Sequence, residues 1–217
     1  MIKEHILSER KLWLHLDGNT FDSSNYGNNG IGTGITYESG HIGQCAIFNA
    51  TTDKIVIDNE NQFDFDRDIP FTVSLWFKLN DINRTRFFVS KQADGSSNGV
   101  SFWQNNQNRI YFQLVPVGVT GYLSVYYLFT SINTWTHIVI TYSGSSTAAG
   151  IKMYVNGNEV TTTKSGGPLT NTTVNDIPVE IGNRAGTYNF NGDIDEVIVD
   201  SKEWNSDEVL QYYNETV

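Results

Sequence analysis

The chain has 217 residues, of which 39% are hydrophobic and 13% aromatic, so its composition excludes a disordered protein. Its net charge of −10 gives it a field that repels phosphate backbones, so we expect no nucleic acid partner. We also expect no membrane partner, because no basic patch is present to anchor an anionic bilayer.

The N-terminal segment carries mixed charge, and we interpret residues 1–11 as an arm or tether. It lacks the long apolar core of a signal peptide, and no later stretch is apolar enough to span a membrane. We therefore expect synthesis in a cytoplasm without a cleaved signal, and a place of action on a virion or other extracellular surface. Cys45, the single cysteine, lies in an apolar run and is predicted to be a buried small hydrophobe.

Short strand patterns follow one another along the rest of the chain, separated by turn residues such as Asp94-Gly95 and Gly166-Gly167. Such even spacing is typical of an all-β sandwich or barrel, and no linker divides residues 12–217, which predicts a single domain. The predicted strands are 54–57, 71–78, 86–90, 100–104, 109–114, 122–129, 136–142, 151–155, 159–163, 179–182 and 193–200.

In the strand over 71–78, alternation places Phe71, Val73, Leu75 and Phe77 on a core-facing side and Trp76 on the other side.

Two further elements have local signatures. Asn156-Gly157 predicts a type I′ hairpin turn. Residues 205–213 predict the one short helix, capped by Ser206, with Val209, Leu210 and Tyr213 on one face.

Three groups of motifs, taken in order, resemble the concanavalin A-like lectin/glucanase superfamily, in particular its laminin G-like jelly-roll domains of bacterial and viral type. They are Leu14-His15-Leu16-Asp17-Gly18-Asn19 with Gly43-Gln44-Cys45-Ala46-Ile47-Phe48, then Phe71-Thr72-Val73-Ser74-Leu75-Trp76 with Trp135-Thr136-His137-Ile138, then Tyr154-Val155-Asn156-Gly157 with Asp193-Ile194-Asp195-Glu196-Val197. The resemblance implies a two-sheet antiparallel β-sandwich (a jelly roll) over residues 12–213.

The resemblance also raises the question of catalysis. Related β-sandwich glucanases carry a Glu-x-Asp-x-Glu strand, whereas the nearest stretch here reads Asp-x-Asp-x-Val over 193–197. The carboxylate pair needed for retaining hydrolysis is absent from that stretch, so we expect no enzyme and no catalytic residue. On a regular strand, Asp193, Asp195 and Val197 would point one way, and Ile194, Glu196 and Ile198 the other.

In similar lectin domains a calcium ion ties the N-terminal strand to the last strand. The matching residues are Asp17 and Asp195, which the resemblance makes candidate ligands of a structural Ca²⁺. The alternative is that both carboxylates only accept backbone N–H groups at turns.

Sugar binding needs aromatic faces together with amides and hydroxyls, and such residues cluster near three predicted turns. The candidate ligand-binding residues are Trp103, Asn105, Tyr126, Arg184 and Tyr188. The alternative is that these aromatic residues belong to the packing of a large sandwich.

The sequence therefore favours a non-catalytic, lectin-like recognition or adhesion module that binds a glycan, such as a host-surface polysaccharide, or a protein surface. A phage decoration or fibre protein is one setting for it. A purely structural virion subunit, held by capsid, tail or other assembly proteins, is the alternative, and a polysaccharide-degrading enzyme is the third reading.

Overall fold

A computed structural model describes residues 9–93, 98–119 and 121–217. Within them the chain forms two antiparallel β-sheets, packed face to face, and one α-helix. The strands are β1 (Arg10–Leu14), β2 (Ile31–Thr33), β3 (Thr36–Ser39), β4 (Gln44–Phe48), β5 (Lys54–Ile57), β6 (Phe71–Leu79), β7 (Arg86–Lys91), β8 (Gly99–Gln104), β9 (Arg109–Val115), β10 (Leu123–Leu128), β11 (Thr136–Tyr142), β12 (Ile151–Val155), β13 (Asn158–Glu159), β14 (Thr163–Gly166), β15 (Val179–Ile181) and β16 (Gly192–Asp200), and the helix is α1 (Ser206–Thr216).

Sheet A has the order β13-β12-β11-β6-β16-β4-β3. Strand β1 also pairs with β16, on the edge that β16 shares with β4. A buried ion pair between Arg10 Nε and Asp200 Oδ1, 3.1 Å apart, joins β1 to β16. The first and last strands are therefore neighbours, as the resemblance implies. Sheet B has the order β14-β10-β9-β8-β7-β15-β5-β2.

The core lies between the facing sides of the two sheets. Phe71, Val73, Leu75 and Phe77 of β6 are all buried there, as their alternation predicts. Trp76 lies on the outer side of sheet A, where its ring stacks on His41 and on Tyr213 of α1, with centroids 3.6 Å and 5.7 Å away. Cys45 is a buried free thiol, as expected, and burial raises its pKa to about 12.

A second apolar cluster fixes α1 on the outer side of sheet A. Its members are Val139, Tyr154, Ile198, Trp204 and Val209. The predicted cap of this helix is wrong, because Asn205 rather than Ser206 accepts the N–H groups of Asp207 and Glu208. Leu210 is 43% exposed, so it does not share the buried face with Val209.

The hairpin turn is confirmed, since Asn156 and Gly157 both have positive φ angles, 49° and 77°. The single strand predicted over 159–163 is wrong. The chain leaves sheet A at the end of β13 and enters sheet B at the start of β14, so these residues cross between sheets.

Strand β1 begins at Arg10, inside the segment predicted to be an arm, while residues 1–8 lie outside the described residues. The predicted turn at Asp94-Gly95 also lies outside them. In the described part of the chain, no helix is long and apolar enough to cross a bilayer.

Candidate functional site

A β-bulge in β16 determines which acidic residues reach the outer side of sheet A. Asp195 pairs with Trp76 and Ile198 pairs with Ser74, so β16 contains one more residue than β6 over this interval. Glu196 has a φ angle of 51°, a conformation that costs energy in a residue other than glycine.

The bulge overturns the predicted alternation. Val197 is buried in the core between the sheets, whereas Asp195 bonds to a turn outside it, so these two residues do not share a face. Glu196 also reaches residues outside the core, on the opposite side from Ile194. Strict alternation cannot anticipate an extra residue in the strand.

The two predicted metal ligands meet at one turn, the β3–β4 turn over residues 40–44. Asp195 Oδ2 accepts the backbone N–H groups of His41 and Ile42, each at 2.9 Å. Asp17 Oδ1 accepts the N–H of Gln44 at 2.6 Å. Glycine is needed at Gly43, because its φ is 61° and a Cβ there would lie 2.3 Å from Asp17 Oδ1.

Asp195 is fully buried, and its second oxygen, Oδ1, has no hydrogen-bond partner among the described residues. Burial raises the pKa of this carboxyl to about 7, against the lowering effect of the Ile42 and His41 N–H groups. An unpaired buried carboxylate oxygen suits a cation. However, no group of three or more His, Cys, Asp or Glu side chains placed for a metal occurs within residues 9–93, 98–119 and 121–217. A calcium ion would need backbone carbonyls and water for its remaining ligands.

Glu196 is the centre of a hydrogen-bonded group that the sequence did not reveal. Its buried carboxylate accepts Trp13 Nε1–H at 2.7 Å and His15 Nδ1–H at 2.7 Å, and Tyr212 OH lies 3.4 Å away. The hydrogen bond to Glu196 raises the pKa of His15, against the effect of burial. Trp13 lies in β1, His15 follows the end of β1, Glu196 lies in β16 and Tyr212 in α1, so only the bulge and the docked helix bring these residues together.

The same residues line an open cleft of about 620 Å³ between β1 and α1, which we call the β1–α1 cleft. Asp17 and Glu215 stand at its rim, and Ile42 contributes an apolar wall.

The outer side of sheet B carries a line of neighbouring aromatic rings, one from each of four adjacent strands. We call Phe87, Trp103, Tyr111 and Tyr126 the aromatic row. They are paired in cross-strand register. Successive ring centroids are 5.8, 4.7 and 5.1 Å apart. The Phe87–Trp103 and Trp103–Tyr111 pairs are nearly parallel, at 11° and 15°, but rings in full face contact would lie about 3.5–4 Å apart, so these pairs are offset. The Tyr126 ring is tilted by 43° against Tyr111.

Side chains extend the aromatic row at both ends. The Tyr188 ring lies 5.8 Å from Phe87, and the Arg184 guanidinium lies 4.3 Å from the same ring. At the other end the Arg109 guanidinium lies 4.9 Å from Tyr126. Phe87 is buried, while Trp103, Tyr111, Tyr126 and Tyr188 remain partly accessible to solvent.

A second line of side chains runs parallel to the aromatic row, two residues from each ring on β8, β9 and β10 and three residues from Phe87 on β7, where a bulge intervenes. This polar row consists of Ser90, Ser101, Gln113, Ser124 and Ser165, which pair directly across β7, β8, β9, β10 and β14. Ser90, Ser101 and Ser124 are buried, and the hydroxyls of Ser90 and Ser101 donate to Gln92. Gln113 and Ser165 are therefore the members of the polar row that solvent reaches beside the rings.

Four of the five predicted ligand-binding residues meet on this face: Trp103, Tyr126, Arg184 and Tyr188. Asn105 does not, because its side-chain oxygen accepts the N–H groups of Gln107 and Arg109 and closes the β8–β9 turn. Phe87 and Tyr111 were missed, although Tyr111 alternates with the core residues Ile110 and Phe112 and this pattern places it outside.

The acidic residues of β16 are engaged in separate contacts. Asp193 pairs with Lys78 at 2.5 Å, and Asp195 with the β3–β4 turn. Each of the two aspartates therefore has a structural partner within the protein.

The solved structures most similar to this chain include binding domains of clostridial toxins. The binding domain of Paraclostridial Mosquitocidal Protein 1 superposes with a TM-score of 0.76 at 14% identity, over 97% of this chain and 53% of that one. The Botulinum neurotoxin serotype G binding domain gives 0.72 at 17%, over 93% and 49%. The Botulinum neurotoxin DC binding domain, solved in complex with rat synaptotagmin II, gives 0.75 at 16%, over 98% and 52%.

At such identities the likeness concerns the fold alone, and the chain spans about half the length of these structures. No curated protein sequence matches the chain. A sequence profile of the concanavalin A-like lectin/glucanases superfamily matches residues 49–210, which is most of the chain. With its two-sheet sandwich and the motifs that resemble this group, the chain belongs to the concanavalin A-like lectin/glucanase superfamily.

Proposed function

We propose that the protein is a non-catalytic recognition module that binds a glycan along the aromatic row of sheet B. The observation that carries this proposal is the register of Phe87, Trp103, Tyr111 and Tyr126, which places four rings side by side on one face. Sugars bind aromatic rings through their C–H groups and need hydroxyls and amides to fix their orientation. Gln113, two residues from Tyr111, and Ser165, on the neighbouring strand β14, supply such groups near the rings.

The ligand is a neutral polysaccharide rather than a strongly anionic one. The net charge of −10 disfavours sulfated or phosphorylated polymers at long range. The Gln113 amide and the Ser165 hydroxyl, the accessible members of the polar row, can both donate to and accept from uncharged hydroxyls. A host-surface polysaccharide would be such a ligand, and the virion or extracellular surface is the setting we propose for it.

A glycan array followed by calorimetry tests this function. We expect Trp103→Ala to weaken binding about tenfold or more, which corresponds to about 1.4 kcal/mol, because Trp103 contacts rings on both sides. Trp135→Ala is the matched control: Trp135 directly precedes β11 of sheet A, with the Lys78 ammonium over its ring, and the substitution should leave affinity unchanged. Binding that is equally sensitive to both variants, or no binding to any glycan, would exclude the aromatic row as a glycan site.

A structural role in an assembly is the second candidate, and exposed apolar side chains favour it. Phe21, Ile31 and Leu128 are 68%, 57% and 59% exposed. Contacts with capsid, tail or other assembly proteins would cover them. Sedimentation would show concentration-dependent self-association, or co-sedimentation with such proteins, and Phe21→Ser should reduce it.

Structural calcium at Asp17 and Asp195 remains a proposal, supported by the unpaired Asp195 Oδ1 and by the meeting of both carboxylates at the β3–β4 turn. When bound, the ion would neutralise charge and connect β16 to the loop after β1. The melting temperature should then rise with added calcium and fall with chelator. The calcium proposal would be excluded if neither calcium nor chelator changed the melting temperature, and if Asp195→Ala lowered it no more than a surface control does.

A further inference from the structure

The outer side of sheet B has an exposed apolar corner at the Tyr126 end of the aromatic row. Leu128 ends β10, is 59% exposed, and lies directly opposite Arg109 in the register of β9 and β10. Tyr126, two residues earlier on β10, faces the same way and lies opposite Tyr111. These four residues form two adjacent cross-strand pairs, which we call the Leu128 corner.

Arg109 is the one arginine of the chain whose side chain makes no hydrogen bond or ion pair with the residues that the structure describes. Each of the other five donates to a protein acceptor: Arg10 to Asp200, Arg67 to Ser146, Arg84 and Arg86 to Asp81, and Arg184 to Gln92. The guanidinium of Arg109 is half-buried and lies 4.9 Å from the centroid of the Tyr126 ring. Its N–H donors are therefore left to solvent or to a ligand.

The Leu128 corner places these unused donors beside an apolar side chain. A sugar acid would take the donors, but the net charge of −10 disfavours anionic ligands, and the carboxylate would lie beside Leu128. A sugar hydroxyl would take the donors and leave Leu128 in water. An acetamido group suits both features, because its carbonyl oxygen accepts hydrogen bonds and its methyl group is apolar.

We propose that the Leu128 corner binds the acetamido group of an N-acetylhexosamine unit in the glycan. This inference rests on the glycan function proposed for the aromatic row, and it specifies one sugar within a neutral polysaccharide. Arg109 would donate to the acetamido oxygen, and the methyl group would lie between Leu128 and Tyr126. Thr163, which is exposed on β14 directly opposite Tyr126, would offer its hydroxyl to the same sugar.

Matched pairs of glycans on an array, followed by calorimetry of the whole protein, test the proposal. The two members of a pair differ only in carrying acetamido groups or hydroxyls, as N-acetylchitotetraose and cellotetraose do. For the pair that binds most tightly, we expect the acetamido member to bind about tenfold tighter or more. The gain comes from one hydrogen bond to a charged group and one buried methyl group.

Two substitutions locate that preference. Leu128→Asn removes the apolar surface at nearly constant size, and Arg109→Met removes the donors and keeps a long stem. Each should reduce the ratio of the two affinities to about threefold or less, a ratio that a general loss of binding would not change. Leu210→Asn is the matched control: Leu210 is 43% exposed on α1, on the outer side of sheet A, and this variant should keep the wild-type ratio.

Equal binding of both members by wild type, or a preference that either corner variant keeps, would overturn the acetamido assignment. The glycan function itself would still stand in that case if Trp103→Ala weakened both members alike. Tighter binding of a matched uronic acid glycan, abolished by Arg109→Met, would also overturn the assignment, because the corner would then bind a carboxylate. No binding to any glycan would overturn both this proposal and the proposed function.

Discussion

Asp195 gives the sharpest test of how the outer side of sheet A is built. Its carboxyl group is fully buried, and burial raises its pKa from the ordinary value of 3.8 to about 7. Each pKa unit is worth 1.36 kcal/mol, so ionising Asp195 in the folded protein costs about 4 kcal/mol. The N–H groups of His41 and Ile42 offset burial only in part.

The sign of the pH effect follows from this raised pKa. Below about pH 4 Asp195 is protonated in both the folded and the unfolded state and does not affect the free energy of unfolding. Above about pH 7 it is ionised in both states, and the folded state bears the full free-energy cost of the buried charge. In the window between, stability contributed by Asp195 falls as pH rises. Asp195→Asn removes the charge and keeps an oxygen that can accept the two N–H groups.

Urea unfolding of wild type and Asp195→Asn, in chelator, measures this effect. Between about pH 4 and about pH 8 we expect the variant to gain about 2–4 kcal/mol relative to wild type. Added calcium should shrink this gain if the ion binds Asp195, because the cation offsets the buried charge. A stability difference that does not change with pH would refute the reasoning, since the carboxylate would then bear no cost in the folded state.

Three further predictions concern the same side of the molecule. Glu196→Ala should lower the pKa of His15, which an NMR titration would detect. It should also lower the free energy of unfolding by about 2–4 kcal/mol in urea, because Trp13 Nε1–H loses its acceptor. Burial lowers the pKa of His137 to about 3, so stability contributed by this group should fall as pH drops below about 6.5, and His137→Gln should flatten that part of the acid unfolding curve. Asn205→Ala should cost about 1 kcal/mol by thermal melting, while Ser206→Ala, beside it, should cost little.

Much of the fold could be predicted because its signals are local. Strand β6 alternates apolar with polar residues over its first half, and Asn156-Gly157 has the backbone preference of its turn, so neither signal depends on the rest of the chain. Strands β2 and β3 were missed because they are short and largely exposed and so have no apolar alternation to read. The helix cap was predicted one residue too late because Asn205 and Ser206 are adjacent and both residue types are good N-caps.

The residues of the candidate sites also divide into those with a local signal in the sequence and those brought together only by the fold. Trp103 and Tyr126 were found because aromatic residues near polar turns are visible in the sequence. Their alignment with Phe87 and Tyr111 depends on strand register, which no local pattern fixes. The Glu196–His15 pair joins residues 181 positions apart and exists because of one bulge, so it could be found only in three dimensions.

That bulge makes the last strand sensitive to changes in length. Because one surplus residue separates Asp195 from Ile198, the valines at 197 and 199 reach the core only with it in place. Deleting a single codon at this point would turn those valines toward solvent and force Asp200 and its partner Arg10 out of register. We expect natural variation here to favour exchanges of side chain over insertions and deletions.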